Sequence, residues 1–183
     1  MVIGRTTLLA LALAMAPLSG FVFMDGVDAQ HADHGAGPSS AFVETVRRAT
    51  ERFRDVRNVP AEYSPTLGCV SGPEAGAMGV HFVNPGLLID GTLDATQPEA
   101  LIYEFKDGVA RLVGVEFIVL AKVWHEKHAE NDPPILEGQL LHFVDSPNRF
   151  GLPAHYELHV WAWRDNPQGV FVDWNTRVSC DGQ

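Results

Sequence analysis

The sequence predicts an α+β domain that is mainly antiparallel β: a curved, cone-shaped sheet or a small barrel, with an N-terminal amphipathic helix packed on it. Two observations predict this class. One helical pattern comes first and a series of strand patterns follows it, and short turn sequences join the strands. Short connections favour antiparallel pairing, because parallel strands need long crossovers. Either the sheet or the barrel would leave an interior pocket.

The first residues have the pattern of an export signal. Arg5 precedes an apolar run over residues 8–18, which Pro17 breaks and which is short for a membrane span. Val27-Asp28-Ala29 supplies small residues at the spacing of a cleavage site. The chain is therefore expected to contain a signal peptide (1–29), a flexible leader without periodicity (30–40) and a single globular α+β domain (41–183). The expected location is periplasmic or extracellular, with no membrane span after the signal is cleaved.

The chain is acidic, with a formal net charge of -10 from 13 Lys+Arg and 23 Asp+Glu. Removal of Arg5, Asp25 and Asp28 with the signal leaves 12 basic against 21 acidic residues, a net charge of -9. Because a negative chain repels phosphate backbones, nucleic acid is excluded as a partner. The charge pattern does not indicate an oligomeric state.

The chain has two cysteines, Cys69 and Cys180, which lie far apart in the sequence. In an exported protein such a pair is expected to form a disulfide. The bond would tie the C-terminus to the start of the sheet and stabilise the fold by about 4 kcal/mol in the loop-entropy model. Two free thiols are the alternative.

An amphipathic helix is predicted over residues 41–57. Apolar residues recur there at alternating four- and three-residue steps, with charged residues between them. Ser40 is the expected N-cap. The apolar positions are Phe42, Val46, Ala49, Phe53 and Val56.

Strand patterns follow a stretch rich in proline and glycine over residues 60–76. Lys106-Asp107-Gly108 predicts a tight hairpin between two of them, and residues 166–169 predict a turn between the last two. A helical turn or loop is expected at residues 124–130. The predicted strands are 78–83, 101–105, 112–121, 138–144, 155–163 and 170–174.

The predicted strand 155–163 has two unlike faces at a two-residue period. Its apolar face carries Tyr156, Leu158, Val160 and Ala162. His and Glu seek water and Trp does not, so the opposite face is expected to line a pocket rather than meet bulk solvent. That face carries His155, Glu157, His159, Trp161 and Trp163.

Two other predicted strands place a polar residue among apolar ones. Glu116 lies in a run that is apolar on both faces, and His81 lies between Val80 and Phe82. A bare buried carboxylate costs several kcal/mol, so it must be paired, protonated or bound. We therefore predict that His81, Glu116 and His159 bind one divalent metal ion, Zn or Cu. Such a site is compatible with a metal-dependent hydrolytic or oxidative enzyme.

Geometry limits which residues can share one ion. His155 and His159 stand about 13 Å apart along one strand at about 3.3 Å per residue, too far for a common first shell. We prefer His159 because it lies deeper in the strand, with His155 and Glu104 as substitute ligands. Tyr156 and Glu157 are speculative catalytic helpers.

The same residues allow other interpretations. Trp161 and Trp163 can stack on a small apolar or sugar-like ligand, which would make the protein a metal-free binding module, or can belong to the core. The buried polar groups can also satisfy one another in a structural network. His125 and His128 stand one residue short of the zincin spacing, and their segment is rich in charge, which indicates a surface position.

Three stretches resemble a group of exported bacterial proteins of unassigned function. They are Ala-Met-Gly-Val-His-Phe-Val-Asn at 77–84, Leu-Val-Gly-Val-Glu-Phe at 112–117 and Leu-His-Val-Trp-Ala-Trp at 158–163. The resemblance extends from Ala49 to Cys180 and implies no activity or site residue. A weaker likeness to cupins rests on the His and Glu content of the predicted strands. Because the paired His-Xaa-His of the cupin metal motif does not occur in the sequence, cupin ligands are not transferred.

Overall fold

The computed structural model describes residues 1, 4, 38–72 and 74–181. Contacts between residues divide the chain into two units, Met1–Asp33 and His34–Gln183, and every element described below belongs to the second. The predicted signal peptide, apart from Met1 and Gly4, and residues 30–37 of the predicted leader lie outside the described residues. Both segments stay predictions.

Antiparallel strands make up most of the regular secondary structure in the described residues. In chain order they are β1 (Ser64–Gly72), β2 (Gly76–Val83), β3 (Ala100–Lys106), β4 (Val109–Leu120), β5 (Ile135–Leu136), β6 (Gln139–Leu140), β7 (His142–Val144) and β8 (His155–Val160). Six of them form one sheet in the order β1-β2-β3-β4-β8-β7, curled into a half-barrel, and β5 pairs with β6. The predicted α+β class with mainly antiparallel strands is confirmed.

Within the described residues, three helices accompany the strands: α1 (Pro38–Thr50), α2 (Pro85–Leu88) and α3 (Ala121–His125). The predicted N-terminal helix is therefore present with different bounds. It begins before Ser40, which lies inside it rather than at its N-cap, and two short 3-10 turns, Glu51–Arg54 and Val56–Asn58, follow it. The Thr50 hydroxyl donates a hydrogen bond to the Val46 carbonyl, 2.7 Å away, a local bond that competes with continued α-helix.

The apolar stripe of α1 packs on one face of the sheet, as its periodicity predicts. Phe42 and Val46 are buried against Leu101 and Phe117 of the sheet. The rings of Phe42 and Phe117 have centroids 5.6 Å apart. We call this side the helix-covered face.

The predicted hairpin at residues 106–108 is present between β3 and β4. Asp107 and Gly108 have φ values of 53° and 74°. Positive φ at both central residues is the requirement of a type I′ turn, and Asp-Gly tolerates it well. The turn therefore sets β3 directly beside β4.

The C-terminal part of the sheet is shorter than its pattern predicts. β8 ends at Val160, and within the described residues 170–174 no strand forms. The Ala162 N–H donates to the Val160 carbonyl at 2.8 Å, and the Trp161 N–H donates to the Val170 carbonyl at 2.9 Å. The chain therefore turns away after Val160, and the two-residue alternation stops there.

Two further differences arise from residues with special backbone demands. β1 is not predicted, because it contains Pro65 and glycines; it is an edge strand, where proline is tolerated. The predicted strand 138–144 is divided between β6 and β7, which belong to different sheets. Leu141 lies between them and its N–H donates to the Pro134 carbonyl at 3.0 Å.

The predicted disulfide is confirmed. Cys69 of β1 and Cys180 near the C-terminus are bonded, and both pack against a cluster that includes Ala77 and Trp161. The Ala77 and Asn175 backbones also pair as an antiparallel bridge. The segment after β8 is thereby held against the sheet. None of the helices in the described ranges has the length and apolar character needed to cross a membrane.

Candidate metal centre

The face of the sheet opposite α1 is buried but polar, and we call it the polar face. Val115 and Phe117 pack under the helix, so Glu116 between them points to the other side. Glu157 and His159 alternate in the same way with apolar residues of β8. Glu116 and His159 are direct partners across β4 and β8, so their side chains are neighbours.

His81 reaches the same place from β2. It pairs with Ile102 of β3, while Glu116 pairs with Ala100 of the same strand. Because Ala100 has a small side chain, His81 and Glu116 can meet across β3. His81 Nε2 lies 3.4 Å from Glu116 Oε2, and His159 Nε2 lies 3.9 Å from Glu116 Oε1.

The three predicted ligands therefore converge. One donor atom from each of His81, Glu116 and His159 lies within 4.8 Å of the others, and all three residues are buried. We call these three residues the inner cluster. The structure thus contains a buried His/Glu group that could hold a metal ion.

Several imidazole nitrogens of the inner cluster are unpartnered. Among the described residues, His81 Nδ1, His159 Nδ1 and His159 Nε2 are buried without a hydrogen bond. An unpaired buried polar atom costs about 1–3 kcal/mol, and in native proteins such atoms usually contact water or an ion. Both nitrogens of His159 carry this cost.

Burial keeps both histidines of the inner cluster neutral. Burial and the neighbouring His159 lower the pKa of His81 to about 3. Burial also lowers the pKa of His159, although the negative charges of Glu157 and Asp173 oppose it. Neutral imidazole is the form that binds a metal ion, so neither ligand must first lose a proton at pH 7.

Glu116 differs from its neighbour Glu157. Burial, the charge of Glu157 and a hydrogen bond shared with Glu157 raise the pKa of Glu116 well above its ordinary value. Burial also acts to raise the pKa of Glu157, but the hydrogen bond from His155 and the nearby His159 outweigh it, and the pKa is lowered. The two shifts run in opposite directions, so Glu116 is the carboxyl of the pair that holds a proton more readily.

His155 supports Glu157 rather than the inner cluster. Its Nε2 lies 3.1 Å from Glu157 Oε2, and its Nδ1 lies 2.8 Å from the Pro153 carbonyl. Both partners can only accept, so both ring nitrogens donate. Burial lowers the pKa of His155, but these two hydrogen bonds outweigh it and the pKa is raised.

Glu104, the substitute carboxylate, lies elsewhere. It accepts hydrogen bonds from Arg164 Nη2 at 2.6 Å and from the Ser179 N–H at 3.2 Å. This ion pair fixes the segment after β8 and leaves Glu104 outside the inner cluster.

A small cavity of about 10 Å³ adjoins the inner cluster. This is close to the space that one water molecule needs. Four polar and four apolar residues line it: His81, Glu116, His155, Glu157, Leu67, Met78, Phe150 and Leu152.

The two indoles do not share a face, so that prediction is wrong. Trp161 is buried beside His159, with ring centroids 6.1 Å apart, and its Nε1 donates to the Val172 carbonyl. Trp163 packs against the helix-covered core, and its Nε1 donates to Thr50 Oγ1 at 3.0 Å. The cause is the end of β8 at Val160. Both residues border a surface cleft of about 330 Å³.

Tyr156, one of the two speculative helpers, belongs to the helix-covered face. Its hydroxyl lies 3.0 Å from His125 Nε2, on the side of the sheet away from the inner cluster. Glu157 is the helper that lies in the polar cavity.

Two residues near the inner cluster have no clear signal in the sequence. Asp173 lies in the segment after β8, with Oδ1 3.7 Å from His159 Nδ1 and Oδ2 3.8 Å from His142 Nδ1. His142 pairs with Glu157 across β7 and β8. A histidine inside a predicted strand was the only available hint for His142, and Asp173 had none.

Comparisons of the chain with protein-family models, with curated proteins and with solved structures gave no significant match. The chemistry of the site is therefore inferred from its donor atoms. Two neutral imidazoles and a carboxylate, all buried and close together, are a ligand set that suits Zn²⁺ and Cu²⁺.

Proposed function

We propose that this protein is an exported metal-binding protein in which His81, Glu116 and His159 hold one divalent ion. The observation that carries the proposal is the state of His159. Its Nε2 faces Glu116 at 3.9 Å and, within the described part of the chain, makes no hydrogen bond although it is fully buried.

A hydrogen-bonded structural network explains these distances less well. The separations of 3.4 and 3.9 Å are long for hydrogen bonds. Ligand atoms about 2.0–2.1 Å from one tetrahedral ion stand roughly 3.3 Å apart. Around one ion the three donors, which already lie within 4.8 Å of one another, would draw in to that spacing.

The donor set narrows the choice of ion. Two nitrogens and one oxygen favour Zn²⁺ or Cu²⁺ over Ca²⁺ and Mg²⁺, which prefer oxygen alone. Three protein ligands also leave one coordination position, as in catalytic zinc sites. Glu157 lines the adjoining cavity, so it is placed to accept a proton from a group there. This arrangement supports a metal-dependent hydrolytic or oxidative activity.

Export is the second part of the proposal. Arg5 and the apolar run that follows have the composition of a secretion signal. The Cys69–Cys180 disulfide supports this, because such bonds persist in oxidising compartments. Fractionation of cells that express the full chain should find the protein outside the cytosol. Leu9→Arg in the apolar run should keep the protein in the cytosol. Equal distribution of both forms would contradict export.

The metal proposal is tested by binding of Zn²⁺ and Cu²⁺ to protein freed of metal by a chelator. His81→Ala and Glu116→Gln should each remove one ion per chain from the stoichiometry that equilibrium dialysis measures. His125→Ala and His128→Ala are matched controls. These histidines lie on the far side of the sheet or at the protein surface, away from the inner cluster, so both variants should bind metal as the wild type does.

The far-ultraviolet circular dichroism of each variant checks that it folds. His81→Gln is a second variant that keeps a polar side chain of similar length, should alanine unfold the protein. Unchanged stoichiometry in folded His81 and Glu116 variants would favour a structural polar network instead.

A further inference from the structure

We propose that His142, Glu157 and Asp173 form a second site for a divalent cation beside the first, so that the polar face holds two ions. We call these three residues the outer cluster. This proposal adds a second ion, with ligands of its own, to the proposed function. It rests on the proposed function for the ion at the inner cluster.

The outer cluster has a metal-binding geometry of its own. One donor atom from each of His142, Glu157 and Asp173 lies within 4.8 Å of the others. His142 and Glu157 are cross-strand partners on β7 and β8, which places both side chains on one side of the sheet. Asp173 approaches from the segment after β8, with Oδ2 3.8 Å from His142 Nδ1.

An independent observation points to an ion here. His159 Nδ1 is fully buried and lies 3.7 Å from Asp173 Oδ1, yet among the residues described it has no hydrogen-bond partner. Its other nitrogen faces Glu116 of the inner cluster. The His159 ring therefore lies between the two clusters, with one unpartnered nitrogen directed toward each.

The carboxylates also join the two clusters. Glu116 of the inner cluster and Glu157 of the outer cluster line the same small cavity. Carboxylates at one cavity can lie between two ions, as in two-metal sites, where the ions stand about 3.5–4 Å apart. The two proposed ions would therefore be neighbours rather than separate binding events.

Exposure differs between the clusters in a way that assigns them different roles. The side chains of His142 and Asp173 are 68% and 30% exposed, whereas those of the inner cluster are at most 6% exposed. An ion from solvent can reach the outer cluster directly. The outer ion is therefore the one that meets an incoming ligand, and it exchanges more readily than the inner ion.

A role for Asp173 that is limited to orienting His159 explains fewer of these contacts than a second metal site does. Acidic groups often orient a metal-bound histidine through its second nitrogen. That role would explain Asp173 Oδ1 but not the placement of His142 at the other oxygen and beside Glu157. The two roles differ in what His142→Ala does, which makes this variant the deciding one.

The experiment is equilibrium dialysis of the metal-free full chain against Zn²⁺, with bound metal measured per chain. Wild type should bind two ions, and His142→Ala and Asp173→Asn should each bind one. His128→Ala, a change of the same kind at another site, should still bind two. His31 and His34 lie outside the described residues, and a double His31→Ala/His34→Ala variant should also bind two.

The pattern of losses separates this inference from the proposed function. One ion in wild type that His81→Ala removes and His142→Ala leaves would overturn the second site alone. One ion that His142→Ala removes and His81→Ala leaves would overturn the inner site alone. Loss of an ion in the His31/His34 variant would assign the second ion to the N-terminal segment and overturn the outer cluster.

Loading with Cu²⁺ tests whether the two ions are neighbours. Two adjacent Cu²⁺ ions couple magnetically, so the electron paramagnetic resonance spin count of wild type should be lower than its copper content. His142→Ala should restore one spin per bound copper. Full spin recovery in wild type with two bound ions would contradict a shared centre.

Discussion

The two faces of the sheet are buried to a similar degree and yet are built in opposite ways. On the helix-covered face, Phe117 and Leu158 pack against α1 and leave no polar atom to satisfy. On the polar face, the next residue of each strand is Glu116 or His159, and both are as well buried. Burial alone therefore does not identify a structural core. Whether the buried polar atoms have hydrogen-bond partners distinguishes a core from a candidate site.

The polar face carries a cost that folding does not require. In the described residues, both nitrogens of His159 are buried without a hydrogen bond, and burial raises the pKa of the Glu116 carboxyl well above its ordinary value. Positions where a protein departs from the rules of stable packing are expected at functional sites. The contrast between the two faces therefore supports a function for the polar face. Variants on each face test this contrast by their effects on stability and metal binding.

Removal of the disulfide should have the largest effect, because the bond holds the segment that covers the polar face. Cys69 and Cys180 are separated by 111 residues. In the loop-entropy model, replacing both by serine lowers the free energy of unfolding by about 4–5 kcal/mol. Urea denaturation measures the loss. Reduced wild-type protein is the matched control, and full stability after complete reduction would show that the C-terminal segment holds without the bond.

Truncation on the helix-covered face should come next. Phe117→Ala removes a fully buried ring that packs on Phe42 and should lower the free energy of unfolding by about 3–5 kcal/mol. Phe117→Leu should cost about 1 kcal/mol. Both variants, while folded, should bind metal with unchanged stoichiometry. A loss of metal in folded Phe117→Leu would show that the two faces do not act independently.

A pH effect of about 3 kcal/mol is expected from Glu99, a buried carboxyl outside both clusters. Burial raises its pKa from 4.5 to about 8, although the Ile118 N–H donates to it at 2.9 Å. The folded state then holds a proton that the unfolded state releases, so stability falls as pH rises from about 5 to 8. Glu99→Gln keeps the acceptor and should flatten this part of the curve. Parallel curves for the two proteins would refute the assignment.

The smallest effect on the metal-free protein is expected for Glu116→Gln. Glutamine keeps the shape and the acceptor oxygen of a carboxyl whose pKa burial raises well above its ordinary value, so the free energy of unfolding should change by about 1 kcal/mol or less. With Zn²⁺ at one hundred times the Kd of the inner cluster, that site should stabilise wild type by about 2.7 kcal/mol, and the variant should lack this contribution while it keeps the gain from the outer cluster. Thermal unfolding with and without Zn²⁺ measures both values. An equal gain in the two proteins would place the ion elsewhere.

Much of the inner cluster could be predicted because its residues carry local signals. Glu116 stands in an apolar run, His81 stands between apolar neighbours, and His159 alternates with apolar residues. Each pattern marks a buried polar side chain without reference to the rest of the chain. The hairpin at Asp107 and Gly108 is local for the same reason, because Asp-Gly readily adopts positive φ.

The failures share a different cause. The two-residue alternation predicts a strand that continues to Trp163, but the Trp161 N–H donates to the Val170 carbonyl and the strand ends at Val160. β1 was overlooked because the tolerance of an edge strand for Pro65 depends on its place in the sheet. In both cases a non-local contact overrode a local preference.

Local sequence patterns predict some features of this protein, and contacts between residues distant in the sequence determine the others. Side-chain alternation is a property of one extended backbone, so the residues that face the polar side could be named in advance. Strand register and the path of the C-terminal segment depend on contacts between distant residues. Only these contacts bring His142 beside Glu157 and Asp173 beside His159, and so only the tertiary structure revealed the outer cluster.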